Sequence, residues 1–108
     1  MVIDESEFEV IKSDEFNKWL EGLKDRQARY RITQHIDRLR IGLLGDFEII
    51  TKDIMELRFH FGPGYRVYIH KEGSEIIVLL NGGDKSTQSK DIKKAKKILQ
   101  EFEEEYNG

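Results

Sequence analysis

From Glu56 to His70 the hydrophobic pattern repeats every two residues, and this alternation constrains the fold more than anything else in the chain. ELRFHF sets Leu57, Phe59 and Phe61 against Glu56, Arg58 and His60; YRVYIH sets Tyr65, Val67 and Ile69 against Arg66, Tyr68 and His70. Side chains alternate in this way on extended backbone, and GPG (Gly62 to Gly64) supplies the turn between the two segments. A three-residue turn predicts opposed positions that sum to about 126, facing His60 with Arg66, Arg58 with Tyr68, and Glu56 with His70.

Before Gly45 the period is helical. Phe8, Val10 and Ile11 suggest a short first strand, after which Ser13 can cap a helix carrying Phe16, Trp19, Leu20 and Leu23 on one stripe. Asp25 is the next cap, for a helix with Ala28, Ile32, His35 or Ile36, and Leu39 that ends near Gly42 and Gly45. Two helices joined so tightly predict an antiparallel hairpin. FEII is a weak strand, Lys71 to Ser74 a turn, and EIIVLL an internal strand apolar on both faces. Ile92, Ala95, Ile98, Leu99, Phe102 and Tyr106 mark a last helix, which Ser86 or Thr87 can cap. This order predicts an α+β domain: helices on one face of a mainly antiparallel sheet of four to five strands, with the other face open.

The length of 108 residues predicts a single domain, residues 1–108. With no cysteine, disulfides, zinc–thiolate sites and thiol nucleophiles are excluded. The first residues lack the basic start and apolar core of a signal peptide, and no apolar run is long enough to span a bilayer. A soluble, cytoplasmic protein without membrane contact is expected. The net charge of −3 conceals an uneven distribution. Lys24, Arg26, Arg29, Arg31, Arg38 and Arg40 gather on the second helix, and Lys85, Lys90, Lys93, Lys94, Lys96 and Lys97 near the last; the acids collect at residues 4–15 and 101–105.

The polar face of the hairpin is the candidate site. The internal strand ends in NGGDK, which would bring Lys85 to Arg58 and Arg66, and three cations on an open surface can hold a phosphodiester. Gly82 and Gly83 would let backbone approach the ligand, with the N-terminus of the last helix adding donors. The plainer alternative is an ordinary solvated strand face, with the glycines making a turn and Asp84 pairing with Lys85 or capping the helix. His60 and His70 could move protons near neutral pH. His35, close to an apolar stripe, suits packing or partner contact. No HxH or HxxxH pair suggests a metal, GPG is not a nucleotide fingerprint, and there is no serine elbow.

Three stretches, FNKWLEGLKDRQARYRITQHIDRLRIGLLGD, ELRFHFGPGYRVYIH and IIVLLNGGDKSTQSKDIKKAKKI, resemble the RelE/ParE toxin superfamily. ELR, GYRVY and GGDKSTQ, in this order, are most similar to its HigB-like branch of phage-derived addiction module killer proteins. The resemblance spans about Phe8 to Leu99. It implies a microbial-RNase-like fold and the toxin of a type II toxin–antitoxin system, with a helix-turn-helix DNA-binding antitoxin as partner and a possible DNA-bound complex of the two. It implies a metal-independent endoribonuclease, needing no cofactor, that cuts mRNA on the ribosome by 2′-OH attack and so inhibits translation. Arg66 matches a catalytic arginine of the superfamily, Lys85 falls where another basic catalytic residue sits, and Arg58 lies on the same face. Ile54 and Glu56 stand in the places of two catalytic lysines, and Asp91 where a catalytic tyrosine can sit, so the resemblance leaves the general base and acid unassigned, with His60 and His70 as candidates. Arg26, Arg29, Arg31, Arg38 and Lys90 would bind RNA, the basic helix docking on ribosomal RNA. The ParE branch instead implies a gyrase inhibitor, and a third expectation is a non-catalytic, antitoxin-binding corepressor module.

Overall fold

Ser13 and Asp25 start the two N-terminal helices as their side chains allow. In the computed structural model, which describes residues 7–107, Ser13 Oγ accepts a hydrogen bond from the Phe16 amide at 3.0 Å and Asp25 Oδ1 from the Ala28 amide at 3.1 Å. Helix α1 is Asp14–Glu21 and α2 is Arg26–Leu39. Ser13 Oγ also donates to the Leu80 carbonyl at 2.6 Å, fastening the start of α1 to the sheet. On α2 the predicted stripe of Ala28, Ile32, Ile36 and Leu39 is buried; of the predicted α1 stripe Phe16 is buried, Trp19 and Leu20 are half-buried against the same core, and Leu23 lies beyond the helix end.

The strands are β1 (Glu9–Lys12), β2 (Phe47–Thr51), β3 (Ile54–Arg58), β4 (Tyr65–Glu72) and β5 (Ile76–Asp84), followed by a 3-10 turn (Lys85–Thr87) and α3 (Gln88–Asn107). They form one sheet in the order β1-β5-β4-β3-β2. The β1–β5 pair is parallel and the others antiparallel. The α+β class and the mainly antiparallel sheet therefore stand as expected.

The open face does not. α1 and α2 cover one side of the sheet over Leu57, Val67, Ile69, Ile77 and Leu79. α3 crosses the opposite side, its Ala95 and Leu99 packing on Ile54, Tyr68, Val78 and Leu80. The cause is visible in β5, whose Ile77 and Leu79 face one side and Val78 and Leu80 the other, so each face needs a cover.

The register also differs from expectation. Arg58 faces Arg66, Leu57 faces Val67 and Glu56 faces Tyr68. The strands stop sooner than a three-residue turn would require. Phe59 N donates to Tyr65 O at 3.0 Å and Gly64 N to Phe61 O at 3.1 Å. The turn closes with Gly62 and Gly64 at positive φ, which glycine adopts without penalty. His60 is left in the connection, and His70 is no partner of Glu56.

β5 carries one irregularity. Tyr68 pairs with Asn81 but Ile69 with Leu79, so Leu80 is an extra residue. Leu80 and Asn81 both turn toward α3, and beyond them the alternation is reversed. Gly82 then lies under Trp19 of α1, where an added Cβ would stand 2.3 Å from the indole. Gly83 lies under Asp91 of α3, where it would stand 1.8 Å from Oδ2. Both glycines belong to the strand, and packed protein, not a ligand, requires them. Among the described residues no helix is long and apolar enough to cross a membrane.

Candidate functional site

The α3 face of the hairpin has a carboxylate at its centre. Glu56 on β3 is 0% exposed. Its Oε1 accepts from Arg58 Nε at 3.0 Å and lies 3.8 Å from Arg66 Nε. Its Oε2 accepts from Tyr68 Oη at 2.9 Å and from Gln88 Nε2 at 2.8 Å. Burial and this hydrogen bond push the Tyr68 phenol far above its ordinary pKa, burial being the larger cause. Tyr68 is therefore a buried donor to Glu56.

Arg58 and Arg66 face each other across β3 and β4, but neither stands free. Arg58 pairs with Glu48 of β2 as well as with Glu56. Arg66 is 9% exposed, and its Nε has no hydrogen-bond partner. Buried donors are seldom left so. The three exposed cations expected from the sequence are thus one exposed lysine and two arginines held by glutamates.

Lys85 is that exposed cation. It opens the 3-10 turn after β5, and it makes no ion pair among the described residues. Its Cβ lies 3.4 Å from where a Cβ on Gly64 would be, which sets the lysine over the β3–β4 turn. Gly83, two residues before it, pairs with Arg66. Asp84 does not neutralise Lys85. It caps the turn instead, Oδ1 accepting from Ser86 N at 2.8 Å and Ser86 Oγ at 2.5 Å, and these bonds hold its carboxyl below the usual range.

The histidines separate clearly. His60 is exposed at the hairpin tip and bonds to Asp46. That bond is the main cause of a lowered Asp46 pKa; slight desolvation opposes it, and the charges of His60, Arg58 and Arg66 assist. His70 is 6% exposed, with Nδ1 2.6 Å from the Asp53 carbonyl and Nε2 2.6 Å from Glu72 Oε2. It sits four residues from Arg66 along β4, roughly 13 Å at the rise of a strand. Both nitrogens are engaged, so His70 leaves the candidate site as a structural residue. His35 packs as expected, its Nε2 2.8 Å from the Leu44 carbonyl and its ring edge-on to Phe59.

On α2, Arg26, Arg31 and Arg38 are exposed and Arg29 is half-buried. The Arg31 guanidinium lies 4.0 Å over the Phe61 ring, and Arg29 Nη1 reaches the Glu21 carbonyl at 3.5 Å. Lys90 is exposed in the first turn of α3. Asp91 is buried; its Oδ2 accepts from Thr87 Oγ1 and its carbonyl from Asn81 Nδ2. It braces α3 against Gly83. Among the described residues no cluster of histidine and carboxylate side chains suits a metal ion.

Sequence reasoning noticed Glu56 only as a departure from a lysine and missed Gln88 and Asp46. Glu56 falls on the polar side of an alternating strand, and nothing in the alternation says that α3 will enclose it.

No protein-family model matches the chain. An uncharacterized protein of Haemophilus influenzae is 46% identical over 87 residues, which cover 81% of this chain and 88% of that protein. The chain belongs to the family of that protein. Among solved structures it is similar to the E. coli toxin RelE, in a double arginine-to-alanine variant in the free state. The TM-score is 0.67 at 12% identity, over 84% of this chain and 96% of that one. The chain therefore has the RelE toxin fold.

Proposed function

We propose that the chain is the toxin of a toxin–antitoxin pair, of the HigB-like kind, and that it inhibits translation by cutting mRNA on the ribosome. One observation supports the reading: in a RelE fold, Arg66 with its unfilled Nε faces Arg58 across β3 and β4, and Lys85, which makes no ion pair among the described residues, follows two residues after Gly83, the β5 partner of Arg66. An RNA phosphate placed there meets Lys85 first. It then competes with Glu48 for Arg58, an ion pair whose side chains are 31% and 52% exposed and so weakly held. Arg66 completes the clamp on the equatorial oxygens, where charge grows as the 2′-OH attacks phosphorus and the bond to the 5′-oxygen breaks. The products are a 2′,3′-cyclic phosphate and a 5′-hydroxyl. His60, exposed and oriented by Asp46, serves one of the two proton transfers. The α2 arginines and Lys90 supply salt-sensitive contact with ribosomal RNA. The partner is a helix-turn-helix antitoxin, and the site of action is the cytoplasm.

Primer extension on cellular mRNA after induction tests this. Discrete cuts that vanish in Arg66→Ala are expected. A second reading is favoured by the burial of Arg66 against Glu56: a fold that arrests growth without cleaving, as a gyrase poison. Intact mRNA with trapped gyrase–DNA complexes would select it, and absence of growth arrest would leave only a corepressor role.

A further inference from the structure

Glu56 is the fully buried carboxylate beside Arg58 and Arg66, and the phosphodiester chemistry above gives it no task. It is fully enclosed, so no substrate atom touches it. Arg58 of β3, Tyr68 of β4 and Gln88 of α3 donate to its two oxygens, and Arg66 Nε of β4 lies 3.8 Å from Oε1. Two guanidinium groups directly opposed on neighbouring strands repel one another. A carboxylate beneath both offsets that repulsion and restricts two long, rotamer-rich side chains to one arrangement. Gln88 ties the same carboxylate to the first residue of α3, three residues after Lys85.

We propose that Glu56 is the positioning residue of the arginine pair. It fixes the direction of Arg58 and Arg66 and cancels part of their charge toward RNA. The inference rests on the nuclease reading for its catalytic consequence, and on geometry alone for the rest. Its signature is opposite effects on binding and on cleavage, which a mere brace of the fold would not produce.

The experiment uses the full chain with Glu56→Gln, Glu56→Asp and Tyr68→Phe. Three quantities are read: the side-chain Nε–H resonances of Arg58 and Arg66 without ligand, the salt dependence of binding to a single-stranded RNA oligonucleotide, and single-turnover cleavage on mRNA-programmed ribosomes. In Glu56→Gln both resonances move. The log–log salt slope steepens by about 0.7, the value for one further phosphate contact. Cleavage falls about a hundredfold, as expected when catalytic groups are misplaced by roughly 1 Å. Glu56→Asp keeps the charge but withdraws it by one methylene. It returns the slope to wild type while the resonances stay shifted and cleavage stays low, and it carries the test should the glutamine variant not fold. Tyr68→Phe removes a donor from Oε2 alone and leaves the slope unchanged. Unmoved resonances, an unchanged slope in Glu56→Gln, or the same slope change in Tyr68→Phe would each overturn the proposal. Failure of the nuclease reading looks different: wild type leaves programmed ribosomes uncut while the resonance and slope differences persist.

Discussion

Arg66 and His70 occupy the same face of the same strand, four residues apart, and both are at least nine-tenths buried. At the His70 end each ring nitrogen has an acceptor 2.6 Å away. At the Arg66 end Nε has none, and the nearest carboxylate oxygen is 3.8 Å distant and shared with Arg58. A polar group whose bonds are complete is part of the scaffold, whereas a buried donor left incomplete costs stability that a structural role does not repay. The difference teaches that polarity on a strand face does not mark a site; unfinished hydrogen bonding does.

The largest expected effect breaks or secures this contrast directly. Arg66→Ala lowers single-turnover mRNA cleavage by about 10²–10³-fold, the scale for losing a donor aimed at developing charge. Equal cleavage by the variant would remove Arg66 from the chemistry. Gly83→Ala sharpens the contrast from the neighbouring strand, because Gly83 pairs with Arg66 and a Cβ there would overlap Asp91 Oδ2. Thermal or urea unfolding should show a loss of about 1–3 kcal/mol. Adding Asp91→Ala should return part of it, and no recovery would mean that the crowding lies elsewhere.

His70→Ala is the converse case. It strands the Asp53 carbonyl and Glu72 and costs about 1–3 kcal/mol in unfolding experiments, while cleavage per folded molecule stays at the wild-type rate. A cleavage defect beyond the loss of folded protein would restore His70 to the site.

The smallest effect concerns Asp46, whose pKa lies below its usual 3.8 in the folded chain, chiefly through the His60 hydrogen bond. A lowered folded pKa stabilises fully above the unfolded value and ceases to do so as pH falls through the folded one. The difference in melting temperature between wild type and Asp46→Asn should therefore be constant from pH 7 to about 5 and shrink toward pH 3. A difference independent of pH would show that the hydrogen bond, not the charge, matters.

Much of the scaffold is legible in the sequence because its signals are local. Ser13 and Asp25 cap within three residues of themselves, and the alternation of Leu57, Val67 and Ile69 reports the buried face wherever the strands end up. The register was not legible, since it depends on where Phe59 and Gly64 close the turn, and one pair of positions decides it. Nor was the side chosen by α3: its Ala95 and Leu99 stripe suits any apolar surface, and both faces of β5 are apolar. For the site, the alternation put Arg58 and Arg66 on one face, where they stand opposite each other. It placed Glu56 in solvent and His70 in the chemistry. Enclosure by a helix more than thirty residues away, and partners such as Asp53 in a turn, leave no mark on the strand itself.

The irregularity at Leu80 has a further consequence for how this chain can change over time. Before it, odd-numbered residues of β5 serve one helix layer; after it, even-numbered ones do. Loss of the Leu80 codon would restore unbroken alternation, with Leu79 and Gly82 still toward the first helices and Asn81 and Gly83 still toward α3, whereas one residue inserted between Asn81 and Gly82 would present Trp19 and Asp91 with each other's neighbours. Length changes should therefore accumulate in the connection of residues 73–75 and, within β5, be limited to loss of the extra residue at Leu80, because an insertion beyond it is opposed by two unrelated helices at once.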